Sequence, residues 1–354
     1  MLFNGKTVLI TGGTGSLGKV LVQRILGGKL GAPEKVIVFS RDEAKQHAMR
    51  LSYLHKKVST DEAIYRNFSK VLEFRIGDVR DYAAVCSAVK NADIVVNAAA
   101  LKQVPSCEYF PAEALLTNCM GACNIVRAIG ENGYPVGSVV AISTDKACKP
   151  VNVMGMTKSL QERIFVAANI LQAKTRYIGV RYGNVLASRG SVIPLFHEQI
   201  RSGGPITITA PGMTRFLLSL NRAVDTVFAA IKSALPGEIY VPDAPSATVI
   251  NLAKALIGKR KVKIREIGTR PGEKMHEVMV SEEEANHCVK RGEFYAIKSM
   301  LPELTGARKE ANAFGGEFSS AHRILDYPRT VELLKRHRLM IGDKAGWDDG
   351  ELLR

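Results

Sequence analysis

A short apolar run that passes straight into glycines narrows the possible folds of this chain more than any other feature. Thr7-Val-Leu-Ile10 reads as a strand, and Thr11-Gly-Gly-Thr-Gly-Ser-Leu-Gly18 follows at once. Glycines 12, 15 and 18 fit Gly-x-x-Gly-x-x-Gly, while 13, 15 and 18 fit Gly-x-Gly-x-x-Gly. Either register supplies a tight turn, close backbone approach to a pyrophosphate, and a helix packed near the strand. The helical pattern from Lys19 to Leu26 then aims its N-terminal amides and positive dipole end at those phosphates. Glycine spacing alone is weak, but between a strand and a helix it is a strong sign of a dinucleotide site. Gly12, Thr14, Gly15, Ser16, Leu17 and Gly18 are therefore expected to bind a cofactor.

The second strand, Lys35-Val-Ile-Val-Phe39, decides which cofactor. An enzyme using NAD usually places a carboxylate at this strand end to accept the ribose hydroxyl. Here the strand ends in Ser40-Arg41 with Lys45 close behind, a hydroxyl and a guanidinium that suit a 2′-phosphate. The expectation is NADP, with Asp42 keeping NAD open. The strand Val71 to Ile76 leads into Gly77-Asp78-Val79-Arg80-Asp81, where Asp78 and Val79 could meet the adenine or Asp78 could cap a turn. Asp93-Ile-Val-Val-Asn97 opens onto Ala98-Ala-Ala-Leu-Lys102, small residues that let backbone approach a flat ring, with Lys102 reaching toward the cleft. Asn118, on a helix expected from Pro111, could brace an active-site lysine through water or be an ordinary structural asparagine. Strands alternate with helices up to Val180, which predicts an α/β fold: a doubly wound parallel (Rossmann) sheet covered on both faces.

At the end of the strand Gly137 to Ile142 stand Ser143, Asp145 and Lys146. Pro150 and Asn152 punctuate a turn, and a helix opens with Asn152 as N-cap. Met154 and Lys158, four apart, project from one face of that helix. A hydroxyl, a carboxylate and two amines thus gather where a strand meets a helix, which is where open parallel sheets bind ligands.

Totals set the wider limits. The 354 residues suffice for a large core and two domains or one elaborated domain, and 46% hydrophobic with 23% charged content fits a globular chain. With 49 Lys and Arg against 34 Asp and Glu, the net charge of +15 favours anionic partners such as phosphorylated cofactors and nucleotides. No basic block is interleaved with aromatics, so nucleic acid is not expected, and Lys335-Arg-His-Arg338 reads as a solvated helix end. The six cysteines show neither Cys-x-x-Cys nor a zinc spacing, so no metal is expected and reduced, packed thiols fit a cytoplasmic protein. No apolar run reaches the length of a membrane span or a signal peptide core.

Together these segments resemble the extended short-chain dehydrogenase/reductase superfamily. More closely, they resemble the inverting UDP-N-acetylglucosamine 4,6-dehydratases of polysaccharide and glycan biosynthesis. The resemblance rests on Thr11 to Gly18, Ser40-Arg-Asp-Glu43, Leu101-Lys-Gln-Val-Pro105 with Cys107-Glu-Tyr109, and Ser143-Thr-Asp-Lys146. It continues through Arg181-Tyr-Gly-Asn184, Ala187-Ser-Arg-Gly-Ser-Val192, Met213-Thr-Arg-Phe216 and Arg270-Pro-Gly-Glu-Lys274, to about residue 330. One departure stands out. The superfamily's Tyr-x-x-x-Lys reads Met154-Gly-Met-Thr-Lys158, and a thioether cannot exchange a proton. Members similar to those making capsule and O-antigen precursors carry the same methionine. Lys158, Lys146 and a relayed water stay open as the group that removes the 4-hydroxyl proton.

The resemblance implies a Rossmann body over residues 1–184, a smaller nucleotide-sugar body over 185–330 with some chain returning to the first, and a tail over 331–354. It implies a homo-oligomer, dimer or hexamer, acting on UDP-N-acetylglucosamine. Asn184, Ser188, Arg189, Ser191 and Val192 would lie beside the nucleotide sugar, with Thr207, Arg215 and Arg270 adding to its site and Lys102 serving both ligands. Glu273 would accept from a ribose hydroxyl, although Arg270-Pro-Gly-Glu also reads as a plain turn. In the implied reaction a hydride leaves C4 for NADP, Lys146 takes the C5 proton, and Asp145 protonates the departing 6-hydroxyl. The hydride returns to C6, and C5 is reprotonated on its other face. Ser143 would bond the C4 oxygen and Lys158 would orient the nicotinamide ribose. A UDP-sugar 4-epimerase or reductase could use the same scaffold without needing the Asp145–Lys146 pair. An inactive NADP-binding protein is the reading outside enzymology.

Overall fold

The computed structural model describes residues 1–54, 71–186, 191–304 and 310–343. Its centre is a parallel sheet built from Thr7–Thr11 (β1), Lys35–Ser40 (β2), Leu72–Ile76 (β3), Ile94–Asn97 (β4), Ser138–Ile142 (β5) and Arg176–Val180 (β6). They run in the order β3-β2-β1-β4-β5-β6, so the direction of winding reverses beside β1. Side chains alternate between two cores, as the period of two requires. Val8, Ile10, Val96 and Val140 face one apolar cluster, whereas Leu9, Val95 and Val139 face the other. A sheet buried on both faces accounts for strands that read as continuous Val and Ile runs.

The chain beyond Val180 does two things. Its strands are Ile206–Ile208 (β7), Thr214–Phe216 (β8), Ile239–Pro242 (β9), Ser246–Thr248 (β10), Ile264–Glu266 (β11), Val278–Val280 (β12), Cys288–Arg291 (β13), Phe294–Ile297 (β14) and Phe318–Ser319 (β15). β9 joins β6 in parallel, and β14 and β13 follow antiparallel, which extends the sheet to nine strands. The ladders β7–β11, β8–β10 and β12–β15 lie outside that sheet. Helices Val192–Arg201, Val249–Ile257 and Tyr327–Arg336 close a separate core around Phe196, Ile206, Leu252, Leu256 and Leu334.

One local expectation is corrected. The glycine-loop helix begins at Ser16, not Lys19, with Gly15 as its N-cap. The helix expected from Pro111 forms and carries Asn118 and Gly121. It runs Pro111–Leu115, widens into a π-helical turn over Leu116–Met120, and resumes as Gly121–Asn132. The widened turn buries Asn118 completely, where its amide bonds both backbone groups of Leu101 and the Thr157 hydroxyl at 2.9–3.0 Å. Asn118 thus ties the Leu101 loop to the helix Val153–Leu171 one residue before Lys158. The six cysteines are free, and Lys335 to Arg338 are exposed at a helix end as expected. Among the described residues no helix is long and apolar enough to cross a membrane, and no His/Cys/Asp/Glu cluster could hold a metal.

Candidate active site

The candidate cofactor cradle is defined by missing side chains. Gly12 sits at φ +64°, and a Cβ there would lie 2.8 Å from the backbone N and Cα of Ala99 and 2.9 Å from the carbonyl carbon of Ala98. A Cβ on Gly18 would meet the Gly13 carbonyl oxygen at 2.4 Å, so Gly13 and Gly18 together let the helix Ser16–Leu26 press on the loop. No side chain caps that helix, and its first amides are left for an anion. Leu17 packs onto cores of both halves of the chain. The Thr11 hydroxyl donates to Asn97 Oδ1 (2.7 Å) and accepts from Ala99 N (3.2 Å), fixing the two strand ends that form the crevice. A bare, amide-lined turn at the winding reversal fits a dinucleotide.

At the end of β2, Thr14 and Ser40 hydroxyls meet at 3.3 Å, and Ser40 is further bonded to Gln46. Arg41 is exposed, 3.6 Å from Asp78. Asp42 is engaged by the backbone and side chain of Lys45. Asp78 accepts from Arg80 at 2.7 and 3.0 Å and caps its own turn. Burial works against its charge, but the Arg80 bonds and Arg41 hold the carboxyl below the usual range. Val79 is buried where Gly121 gives it room, and Lys102 is exposed.

On the helix Val153–Leu171, Asn152 is the N-cap, its Oδ1 accepting from Gly155 N at 2.8 Å. Met154 packs with Cys107 and Ala114 in a small apolar cluster, so the residue in the superfamily's tyrosine position serves packing. Lys158 is buried and donates to the Ile142 carbonyl and to Gln161 Oε1. Burial pushes its pKa down to about 8, with Glu162 opposing. Ser143 donates to Glu162 Oε1. Glu162 is clamped by Arg181, and Arg181 also grips Glu284 at 2.7 Å.

The candidate acid–base centre lies at the ends of β5 and β6. Lys146 Nζ donates to Asp145 Oδ1 (3.1 Å), Glu277 Oε1 (2.9 Å) and Asn184 Oδ1 (3.3 Å). The Asp145 and Glu277 side chains are 1% and 2% exposed, and Lys146 is 19% exposed. Asp145 Oδ2 and Glu277 Oε2 are buried with no hydrogen-bond partner among the described residues. Gly183 makes room, since a Cβ there would lie 3.1 Å from Asp145 Oδ2 and 2.5 Å from Phe216 Cβ. Burial pushes Asp145 above the usual carboxylate range, with Glu277 adding and Lys146 opposing. Burial also works against the Lys146 ammonium, yet Asp145 and Glu277 outweigh it and keep the pKa above the ordinary lysine value. Glu277 goes the other way: burial would raise it, but Lys146 and Arg215 hold it low.

The expected sugar-site residues divide into three groups. Ser188 and Arg189 lie outside the described residues. Asn184 joins the acid–base centre, and Ser191 caps the helix Val192–Arg201 by backbone only, its hydroxyl buried and unpartnered. Val192 packs against the second-half core, and Thr207 is tied to Gln199 through its backbone (3.0 Å) and its hydroxyl (2.8 Å). Arg215 is buried, its guanidinium on the Thr214 and Lys274 carbonyls and Met213 Sδ, 3.8 Å from Glu277. Arg270 and Glu273 close the turn that was the alternative reading, and Gly272 O accepts from Asn152 Nδ2 at 2.7 Å. That turn therefore docks on the N-cap of the site helix, and Lys274 holds the Cys148 carbonyl at 2.7 Å.

Sequence reasoning gave no role to Glu162, Arg181, Glu277 and Glu284, which the structure gathers into buried ion pairs. Glu162 follows Lys158 by four and shares its helix face, a usable signal. Glu277 carries none, because it reaches Lys146 across 131 residues of chain.

Known proteins agree with this architecture. The UDP-glucose 4-epimerase of Rickettsia bellii (strain OSU 85-389) is 46% identical over 301 residues, 84% of each chain. Pen from Bacillus thuringiensis superposes with a TM-score of 0.85 at 34% identity, covering 96% of this chain and all of its own. DesIV, a dTDP-glucose 4,6-dehydratase from Streptomyces venezuelae solved with NAD bound, has a TM-score of 0.65 at 19% identity, over 94% of this chain and 98% of its own, and shares the fold. Residues 8–299 match the family described as polysaccharide biosynthesis protein. Spanning most of its length, that match makes this chain a member of the polysaccharide biosynthesis family, built on the extended short-chain dehydrogenase/reductase fold of nucleotide-sugar epimerases and dehydratases.

Proposed function

We propose that the protein is an NADP-dependent UDP-N-acetylglucosamine 4,6-dehydratase that inverts C5, yielding a UDP-2-acetamido-2,6-dideoxy-4-hexulose of L-configuration. The observation that carries this reading is the buried Asp145–Lys146–Glu277 centre. Elimination needs an acid and a base within one sugar's reach. Here a carboxyl raised by burial and a partly exposed amine occupy consecutive residues. Hydride transfer between C4, the cofactor and C6 supplies the oxidation and reduction. The bare turn from Gly12 to Gly15 and the start of the helix Ser16–Leu26 would hold the pyrophosphate, and Ser40 and Arg41 would receive the 2′-phosphate. Asp42 is occupied by Lys45, which supports NADP over NAD.

Protein groups handle the protons. Of the two lysines open for the C4 hydroxyl, Lys158 fits better, because its pKa ends below the ordinary lysine value, at about 8. Asp145 and Glu277 keep Lys146 above that value, and Met154 has no proton to exchange. Ser143 gives its hydrogen to Glu162, which leaves its oxygen lone pairs for the sugar. Exposed Leu116, Met120, Met156 and Leu160 on adjoining helical segments suit a homo-oligomer, measurable by light scattering.

Incubation with UDP-N-acetylglucosamine and NADP in D₂O tests the reaction. Loss of one water with deuterium at C5 is expected. A product of unchanged mass, epimerised at C4 and without C5 deuterium, would establish the second reading, UDP-sugar 4-epimerase, which the naming of the Rickettsia relatives favours. Dissociation constants for the two cofactors test the other half, and tighter NAD binding would defeat the assignment.

A further inference from the structure

Lys146 faces a proton problem. A charged lysine has three N–H donors, and three acceptors surround this one: Asp145 Oδ1, Glu277 Oε1 and Asn184 Oδ1. An ammonium engaged in this way has no lone pair, so it cannot take a proton from C5 until it has given one away. The amide oxygen of Asn184 is no proton acceptor. Asp145 is needed in its protonated form to convert the leaving hydroxyl to water, and its Oδ2, without a partner among the described residues, is a seat for that proton. One acceptor remains.

Resting on the dehydratase reading above, we infer that Glu277 takes the proton Lys146 must shed, so that Asp145, Lys146 and Glu277 form a relay with the lysine as its hub. Glu277 is placed for this. Its backbone is pinned on both sides by Ser320, at 2.9 Å and 2.8 Å, and its carboxylate lies nearer the amine than that of Asp145. Lys146, Arg215 and Lys274 bear on it as cations, with the Asp145 carboxyl beyond the shared lysine. Once Lys146 gives up its proton, the largest of those positive influences disappears while Arg215 and Lys274 remain, so Glu277 holds the proton only in passing, until Lys146 has taken the one from C5.

The steps balance. An N–H bond of Lys146 breaks and Glu277 becomes a neutral carboxyl. The freed amine takes the C5 proton, and the C–H electron pair becomes the C5–C6 double bond. As the C6–O bond breaks, hydroxide leaves with the Asp145 proton as water. Lys146 then passes its new proton to Asp145 and recovers the one held by Glu277. One proton enters from C5 and one departs in water, so the three groups end as they began.

Glu277→Gln preserves shape and a carbonyl acceptor for Lys146 but cannot hold a proton. With UDP-N-acetylglucosamine and NADP in D₂O, this variant should lose at least about 100-fold in turnover. It should put no deuterium at C5, yet still develop the absorbance of reduced nicotinamide, because oxidation at C4 does not involve Glu277. Glu277→Asp, which retains a carboxyl, should recover at least about tenfold over the Gln variant. A Gln variant within about threefold of wild type would overturn the relay, as would Gln and Asp variants equally impaired. If wild-type protein forms no dehydrated sugar, the dehydratase reading itself fails and the relay falls with it.

Discussion

The cofactor cradle and the acid–base centre sit at the same edge of one sheet, yet they are made in opposite ways. The cradle is a continuous run of eight residues whose content is mostly absence. Gly12 lies where any Cβ would meet the backbone of Ala99, and Gly18 where it would meet Gly13. The centre is an accumulation of charge from distant segments. Asp145 and Lys146 follow β5, Asn184 follows β6, and Glu277 arrives beside β12. A local device fails by losing its ligand. A long-range device of buried ions fails by losing either its chemistry or its stability, because each charge depends on partners brought by the fold.

The comparison is sharpened most by substitutions that separate binding from turnover. Lys146→Ala should lower turnover on the order of 10³-fold while leaving the dissociation constant for NADP unchanged. Stopped assays beside cofactor titration check both halves, and a parallel loss of NADP affinity would mean that the two regions are not separable. Next in size is the charge network below the centre. Arg181→Met leaves Glu162 and Glu284 buried without their cation, which should cost about 3–5 kcal/mol of stability in denaturant unfolding. An unfolding midpoint equal to wild type would show that those carboxyls find other partners. Gly12→Ala should show the reverse of the lysine variant. Strain at φ +64° of about 1–3 kcal/mol, with the Ala99 contact added, should weaken NADP binding by roughly tenfold or more while the acid–base centre keeps its geometry.

The same contrast explains what could be read before any coordinates. Parallel strands β1, β4 and β5 are legible because burial on both faces forces unbroken apolar runs. The glycine loop is legible because its constraint is local. Asp145 and Lys146 were visible as adjacent charged residues after a strand, but their partner was not, since no sequence period links Lys146 to Glu277. The π-helical turn around Asn118 was hidden for a related reason. Its cause is a tertiary bond set to Leu101 and Thr157, and the residues Leu116–Met120 have no local feature that demands it. Arg215 and Glu273 came as ligand contacts only through the resemblance, and what their residue types could not show is that Arg215 also bonds backbone carbonyls and Glu273 its own turn.

Lys158 offers the finest test. It is buried at the end of β5 on the Ile142 carbonyl, its ammonium is weakened to about 8, and its proposed work is to accept the C4 proton. A base must be neutral to act, so the rate of C4 oxidation should rise about tenfold per unit as pH climbs toward 8 and level off above it. Stability carries an independent signature of the same group. The folded-state pKa of about 8 lies below the usual 10.5, so between those values the unfolded chain binds the extra proton. Stability must then rise with pH across that window, since the unfolded state holds more protons there. Melting the protein free of ligands from about pH 8 to 10.5 should show this increase, and Lys158→Met should remove that contribution while abolishing C4 oxidation. A rate plateau well below pH 8, with the melting profile of Lys158→Met parallel to wild type, would show that the lysine keeps an ordinary pKa and that another group takes the C4 proton.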